Sequence, residues 1–201
     1  GDRYWEAYTL SLLGNDYSDS NKNDQAIESY SQALAIRREL KDRYGEFNTL
    51  SGLGWVSYRL NRYEKAIEYY EQSLSIAREL KYQFGVASAL HSVGFQNMQI
   101  GRPEKGIEYL QQSLLIYREL KERQSEAETL YRLGFAHNML SHYEKAIEHE
   151  EQALVIHREL KDRQGEANTL NGLASFNNGL SRYEKGIEHS QQALAICREL
   201  K

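Results

Sequence analysis

Little cysteine, little proline and no long apolar run set the first limits on this chain of 201 residues. Cys197 is its one cysteine, which excludes an intrachain disulfide and gives no support to an oxidising compartment; a reducing, cytoplasmic setting is expected. Pro103 is the one proline, so almost nothing in the chain interrupts helix. No stretch approaches the roughly 18 apolar residues of a membrane span. The start, Gly1-Asp2-Arg3-Tyr4-Trp5, has neither the basic nor the apolar region of a signal peptide, and no membrane is expected as a partner. An excess of positive charge is also missing. The formal net charge is −4, with both signs interleaved, so there is no basic field to neutralise a phosphate backbone and no nucleic-acid partner is expected.

What the chain does have is Leu, Ile, Ala and Tyr in a polar background, a mixture that favours helix over strand. Compared with itself, the sequence repeats every 40 residues. Glu39-Leu40-Lys41 returns as Glu79-Leu80-Lys81, Glu119-Leu120-Lys121, Glu159-Leu160-Lys161 and Glu199-Leu200-Lys201. In step with it run Leu10, Leu50, Leu90, Leu130 and Leu170, a column of Gly14, Gly54, Gly94 and Gly134 ending in Ala174, and Leu34, Leu74, Leu114, Leu154 and Leu194. The repeats are therefore 1–40, 41–80, 81–120, 121–160 and 161–200, in a single array over 1–201.

Within a repeat the apolar spacing is helical. In the second, Phe47, Leu50, Leu53, Gly54 and Leu60 share one face of a first helix, and Ala66, Ile67, Tyr70, Ser73, Leu74, Ala77 and Leu80 one face of a second. A short break at Asn61-Arg62-Tyr63 separates them, matched by Gly101-Arg102-Pro103 and Ser181-Arg182-Tyr183. Pro103 suits the first turn of a helix, where its missing N–H costs nothing. The link Lys41-Asp42-Arg43-Tyr44-Gly45-Glu46 leads to the next repeat, and Glu46, Glu126 and Glu166 fall in a first turn, where negative charge opposes the helix dipole. The expected fold is all-α, five helix-turn-helix pairs. One pair cannot bury its own apolar face, so the pairs must stack into a solenoid.

Small residues at positions 14, 26 and 33 of each repeat, such as Gly54, Ala66 and Ser73, with Leu53 and Tyr70 between them, resemble the tetratricopeptide repeat signature across the whole chain. Leucine (Leu50 and its counterparts) replaces the signature's first tryptophan, and arginine (Arg38, Arg78, Arg118, Arg158, Arg198) its late proline, so the helices run on. The long unit is similar to that of the spindle-orientation adaptors of the Pins/LGN type and of large multidomain bacterial proteins. The resemblance implies a right-handed superhelical solenoid whose concave surface is lined by the first helices.

Helical geometry puts positions 10, 13, 17 and 20 on the core side of a first helix and positions 8, 11, 15, 18 and 22 on the opposite stripe. That stripe should be polar. Instead position 15 carries Trp55, Phe95 and Phe135, and position 18 carries Tyr58 and Met98 before Asn138 and Asn178. His91, Tyr131 and Asn171 at position 11 edge the strip with polar groups. Exposed aromatic patches mark interaction surfaces, so these residues are candidates to bind a protein or peptide ligand, either an amphipathic helix or an extended segment. Packing between neighbouring first helices is the alternative, and sequence alone leaves both open. Arg62, Arg102 and Arg182, with Lys22 and His142, form a basic column at the turn, either meeting a partner carboxylate or simply solvated. The family's carboxylate clamp would need lysine and asparagine where Ser51 and Trp55, or His91 and Phe95, stand, so chaperone tails are not expected ligands.

No catalytic constellation emerges. His149 and His157, like His189 and Cys197, are eight residues apart, roughly 12 Å of helix, and cannot converge on one ion. They read as exposed helix-surface residues, and the abundant Glu and Lys as outward charges. No phosphate loop or zinc-protease motif is present, so neither a cofactor nor an enzymatic role is expected. The leading expectation is an interaction scaffold. A second is a sensor segment of a larger signalling enzyme or ATPase. The start within an inter-repeat link, and the end at the close of a second helix with no polar cap after it, suggest a piece of a longer protein whose raw ends can self-associate. A helical-repeat RNA reader shares the architecture, but the acidic balance and absence of a basic ladder weigh against it.

Overall fold

Helical spacing of apolar residues, closed at each end by short polar links, yields ten α-helices in the computed structural model, which describes residues 2–200. They are α1 (Asp2–Asp19), α2 (Asn23–Glu39), α3 (Arg43–Arg59), α4 (Tyr63–Glu79), α5 (Gln83–Gln99), α6 (Pro103–Leu120), α7 (Arg123–Met139), α8 (Tyr143–Leu160), α9 (Arg163–Gly179) and α10 (Tyr183–Glu199). Along the chain they form the five helix-turn-helix repeats of an all-α solenoid. Two compact units divide them, Gly1–Gly101 with α1 to α5 and Arg102–Lys201 with α6 to α10.

Each link contains one residue in the left-handed region: Asn21, Lys41, Asn61, Lys81, Gly101, Lys121, Ser141, Lys161 and Ser181. After α3, the Asn61 N–H donates to Tyr58 O (2.8 Å) and the Arg62 N–H to Ser57 O (2.9 Å), closing the last turn with the paired bonds typical of a left-handed helix end. Pro103 occupies the first turn of α6, as its missing N–H favours. The break between repeats is shorter than the charged run implied, because α3 already begins at Arg43. Asp42 and Asp162 start α3 and α9 by accepting hydrogen bonds from the backbone of Gly45 and Gly165 (2.9 Å each).

In the first unit the core gathers Ala26, Tyr30, Ala33, Leu50, Leu53, Val56, Ala66, Tyr70, Leu74 and Leu90, all buried. In the second, Leu154, Ala167, Leu170, Leu173, Ala193 and Ile196 form one cluster with Ile147 packed on it. The small columns do what their size allows: Gly54, Ala66 and Ser73 are all buried where helices meet closely. Leu80 departs from its expected place, being 38% exposed at the end of α4, where the chain leaves the core for the link. The first and last helices both carry uncovered apolar groups. On α1 these are Trp5, Leu12 and Leu13; on α10 they are Ile187 and Leu194, the latter 50% exposed where its counterpart Leu154 is 8%.

Charged residues are less peripheral than their abundance suggested. Glu46, Glu126 and Glu166 lie in first turns but are buried, each held by two arginines. Arg38 Nε and Arg43 Nη1 stand 2.8 and 2.5 Å from the Glu46 carboxylate, and Arg43 also reaches Glu79 at 2.5 Å. The second unit repeats this lock with Arg118, Arg123, Glu126 and Glu159, and again with Arg158, Arg163, Glu166 and Glu199. Gln83 and Val86 stand at the corresponding positions of the third repeat and cannot form it.

Candidate functional site

Glycines at positions 14 and 12 of the first helices leave gaps that a side chain of the second helix enters. In the first, second and fourth repeats, position 30 lies on the second helix, between position 14 of its own first helix and position 12 of the next. In the first unit that filler is tyrosine. The Tyr30 ring lies against Gly14 and Gly52, where a Cβ would stand 2.6 and 2.8 Å from it, and its hydroxyl donates to Asn15 Oδ1 at 2.5 Å. Tyr70 is packed in the same way against Gly54, with Ser92 at its hydroxyl; burial raises its pKa, as it does that of Tyr30, which is pushed up to about 12.

In the second unit the filler is Glu150. It is 0% exposed, tucked between Gly134 and Gly172, where a Cβ would stand 2.8 and 3.1 Å from its Oε1. Neither carboxylate oxygen makes a hydrogen bond within the protein. Burial pushes its pKa up to about 9; the neighbouring Thr169 hydroxyl opposes this and the Glu128 charge adds to it. Being shorter than tyrosine, the side chain leaves a pocket of about 370 Å³ lined by Tyr131, Phe135, Asn138, Glu150, Asn168, Asn171, Gly172, Ser175 and Phe176. A second pocket of about 170 Å³ is lined by Gln124, Glu128, Tyr131, His157, Asp162, Gln164, Gly165 and Asn168, so the two share Tyr131 and Asn168.

Of the residues singled out in the sequence, the first unit brings three rings together. Trp55 and Tyr58 have centroids 5.5 Å apart, and Tyr58 meets Phe95 of α5 edge-on at 5.4 Å. Trp55 is half exposed, while Phe95 and Tyr58 are half-buried, so Phe95 shares in helix-to-helix packing whereas Trp55 faces water. His91 is half-buried on the same helix as Phe95. Met98 contradicts its expected placement: it is 2% exposed. Position 18 follows position 14 by one helical turn, so it borders the buried glycine column rather than the solvent stripe.

The second unit brings Tyr131, Phe135, Asn138 and Asn171 to one pocket. Phe135 is 44% exposed there. Asn178 is exposed but lies elsewhere, its Oδ1 occupying the space that a Cβ on Gly186 would need. Arg62 and Arg102 are exposed at their turns, as are Lys22, His142 and Arg182, the last 3.7 Å from Glu144.

Two further expectations are corrected. His157 is 4% exposed, its Nδ1 2.9 Å from Asp162, and not a surface residue. It repeats the pairing of the buried Arg37 with Asp42 at 2.5 Å, since both residues at that position point back over the following link. His149 is half-buried, stacked on His137 at 5.3 Å. Burial and the His149, Lys145 and His142 charges push the His137 pKa down to about 4. Cys197 is exposed. Among the described residues no group of three or more His, Cys, Asp or Glu could hold a metal, and no helix is long and apolar enough to cross a membrane. Glu150 is the residue the sequence reading missed. Its signal was a carboxylate in a column otherwise filled by Tyr30, Tyr70, Leu110 and Ser190.

Comparison with known proteins places these features in a family. The family model described as Tetratricopeptide repeat matches residues 2–79 and 85–159. A search of curated protein sequences finds no match. Among solved structures, BtubC (BKLC) from P. vanneervenii superimposes with a TM-score of 0.89 at 21% identity, covering 98% of this chain and 82% of that one. A Rap protein complexed with Competence and Sporulation Factor gives 0.80 at 19% identity, covering 96% of this chain and 54% of that one. The signal transduction ATPase with numerous domains (STAND) protein PH0952 from Pyrococcus horikoshii, which has a tetratricopeptide repeat sensor, gives 0.84 at 20% identity, covering 94% of this chain but 30% of that one. At these identities the likeness is one of fold.

Proposed function

This chain belongs to the tetratricopeptide repeat family, and from that premise we propose that it is a non-catalytic interaction scaffold that binds a peptide or amphipathic helix on the surface formed by its first helices. One observation carries the reading: aromatic rings that a solvent-facing stripe has no reason to hold, Trp55 at 50% and Phe135 at 44% exposure, stand beside half-buried Tyr58 and Tyr131. Large rings with few rotatable bonds supply contact area at low entropic cost, and the amides of Asn138, Asn168 and Asn171 can pair with a ligand backbone. The structural likeness to a Rap protein complexed with a factor supports a held ligand.

The test is capture of peptides from a displayed library by the wild-type chain and by Trp55→Ser and Phe135→Ser. Loss of captured peptides with an unchanged Tm supports the reading; equal capture by all three sinks it.

A second reading has its own support. The chain spans 30% of the STAND protein and 54% of the Rap protein, so it is compatible with a sensor segment attached to an enzyme, and the full-length sequence distinguishes the two. The uncovered Leu12, Leu13, Ile187 and Leu194 support self-association through the faces of α1 and α10. A monomer in size-exclusion chromatography at high concentration would remove that element.

A further inference from the structure

A buried acid with no partner is costly, and proteins retain such groups where a ligand completes them. Glu150 has no charged partner: it is 0% exposed, neither oxygen makes a well-formed hydrogen bond, the Thr169 hydroxyl is its polar neighbour, and it lines a pocket between α7 and α9. Tyr30 shows how the same gap is closed when nothing is to be received, with a ring filling it and a hydroxyl satisfied by Asn15.

The surroundings favour a cation. Neither pocket on this face is lined by lysine or arginine, whereas Glu128, Glu150 and Asp162 line one or the other. The titratable groups of α7 that act on Glu150 are Glu128 and Tyr131; Glu128 is itself paired with Arg132 at 2.6 Å, so Glu150 is the acid left without a counter-charge. The α9 residues at the pocket and beside Glu150, among them Asn168, Thr169 and Asn171, are uncharged. Tyr131 and Phe135 offer ring faces on which an alkyl stem or a guanidinium plane can lie.

We propose that this pocket is the specificity pocket of the scaffold, receiving one lysine or arginine side chain of a bound peptide whose charged end pairs with Glu150. The assignment rests on the peptide-binding reading above and adds to it the class of side chain selected. In the empty protein burial keeps the acid neutral; an arriving ammonium or guanidinium stabilises the carboxylate, and the proton leaves to solvent.

The experiment selects displayed random peptides on the whole chain and, in parallel, on Glu150→Gln and Glu150→Tyr. Glutamine is isosteric with the neutral acid, and tyrosine reproduces the filling seen at Tyr30, so both variants are expected to keep the fold, checked by circular dichroism. The expected wild-type pool has Lys or Arg enriched at one position, and that enrichment falls at least tenfold in both variants while apolar preferences persist. A pool with no basic position, or a basic preference that survives both variants, overturns the pocket and leaves the groove standing.

If the wild type enriches no peptide, the groove reading fails, and NMR titration with N-acetylarginine methylamide and with putrescine judges the pocket alone. Shifts of the Gly134 and Gly172 amides with the arginine probe, absent in Glu150→Gln, uphold it. No shift with either probe, or tighter binding of putrescine than of the arginine probe, overturns assignment to a peptide side chain.

Discussion

Replacing Glu150 with glutamine should stabilise the second unit at neutral pH, by an amount that grows as pH rises. In the unfolded chain the carboxyl ionises at its ordinary value near 4.5; in the folded protein burial holds it neutral up to about 9. The folded state therefore binds the proton that the unfolded state releases. The stabilisation from that proton is fully present below the unfolded value and is lost as pH rises towards the folded one. Each pH unit in the window costs about 1.4 kcal/mol, so at pH 7 keeping the acid neutral costs about 3 kcal/mol. Glutamine bears no such cost. Urea unfolding of both proteins from pH 4 to 8 should give equal stability near pH 4 and a growing advantage of Glu150→Gln above it. His137, whose depressed pKa makes the fold lose stability as pH falls from 6.5 towards 4, is common to both proteins and cancels in the difference. A difference that stays flat between pH 5 and 8 would refute the claim that Glu150 is buried and neutral.

Three more outcomes are expected. Phe135→Ser, at an exposed site, should change stability by less than about 1 kcal/mol, whereas Leu133→Ala, at a fully buried one, should cost about 2–4 kcal/mol by urea titration. Lys121→Gly should raise stability by about 0.5–1 kcal/mol, because lysine there is held at φ 59° and glycine adopts that region without a Cβ clash. Glu166→Gln should cost about 1–2 kcal/mol at pH 7 and little at pH 3. Burial alone would raise the Glu166 pKa, but hydrogen bonds from Arg158 and Arg163 more than offset it, so its stabilisation is present above the ordinary carboxyl range and fades as pH falls through the lowered value; equal losses at both pH values would show the ion pairs to be idle.

The helices were legible because their cause is local. Leu50, Leu53, Ala66 and Leu74 recur at helical spacing, and that periodicity alone fixes which faces are buried. The turns were legible only in place: eight of the nine left-handed positions hold Asn, Lys or Ser rather than glycine, so composition did not flag their geometry. The site was legible where it depended on angle around one helix, as for Trp55 and Phe135. It failed at Met98, where one helical step decides between solvent and the interior. Glu150, Glu46 and His157 were missed for a different reason. Their burial depends on partners 5 to 22 residues away: Asp162 and its link for His157, Arg38 for Glu46, and the glycines at 134 and 172 for Glu150. A charged residue is assigned outward by default, and only the three-dimensional neighbours reveal what permits it inside.

The most direct measurement is amide chemical-shift mapping of a library-selected peptide on the isotopically labelled chain. A ligand held by the first helices should perturb α7 and α9 around Tyr131, Phe135 and Asn171 and leave the outer face of α8, around Glu144 and Glu151, unmoved. Perturbations concentrated on α8 and α10 instead, with Tyr131 and Phe135 silent, would contradict binding on the surface of the first helices.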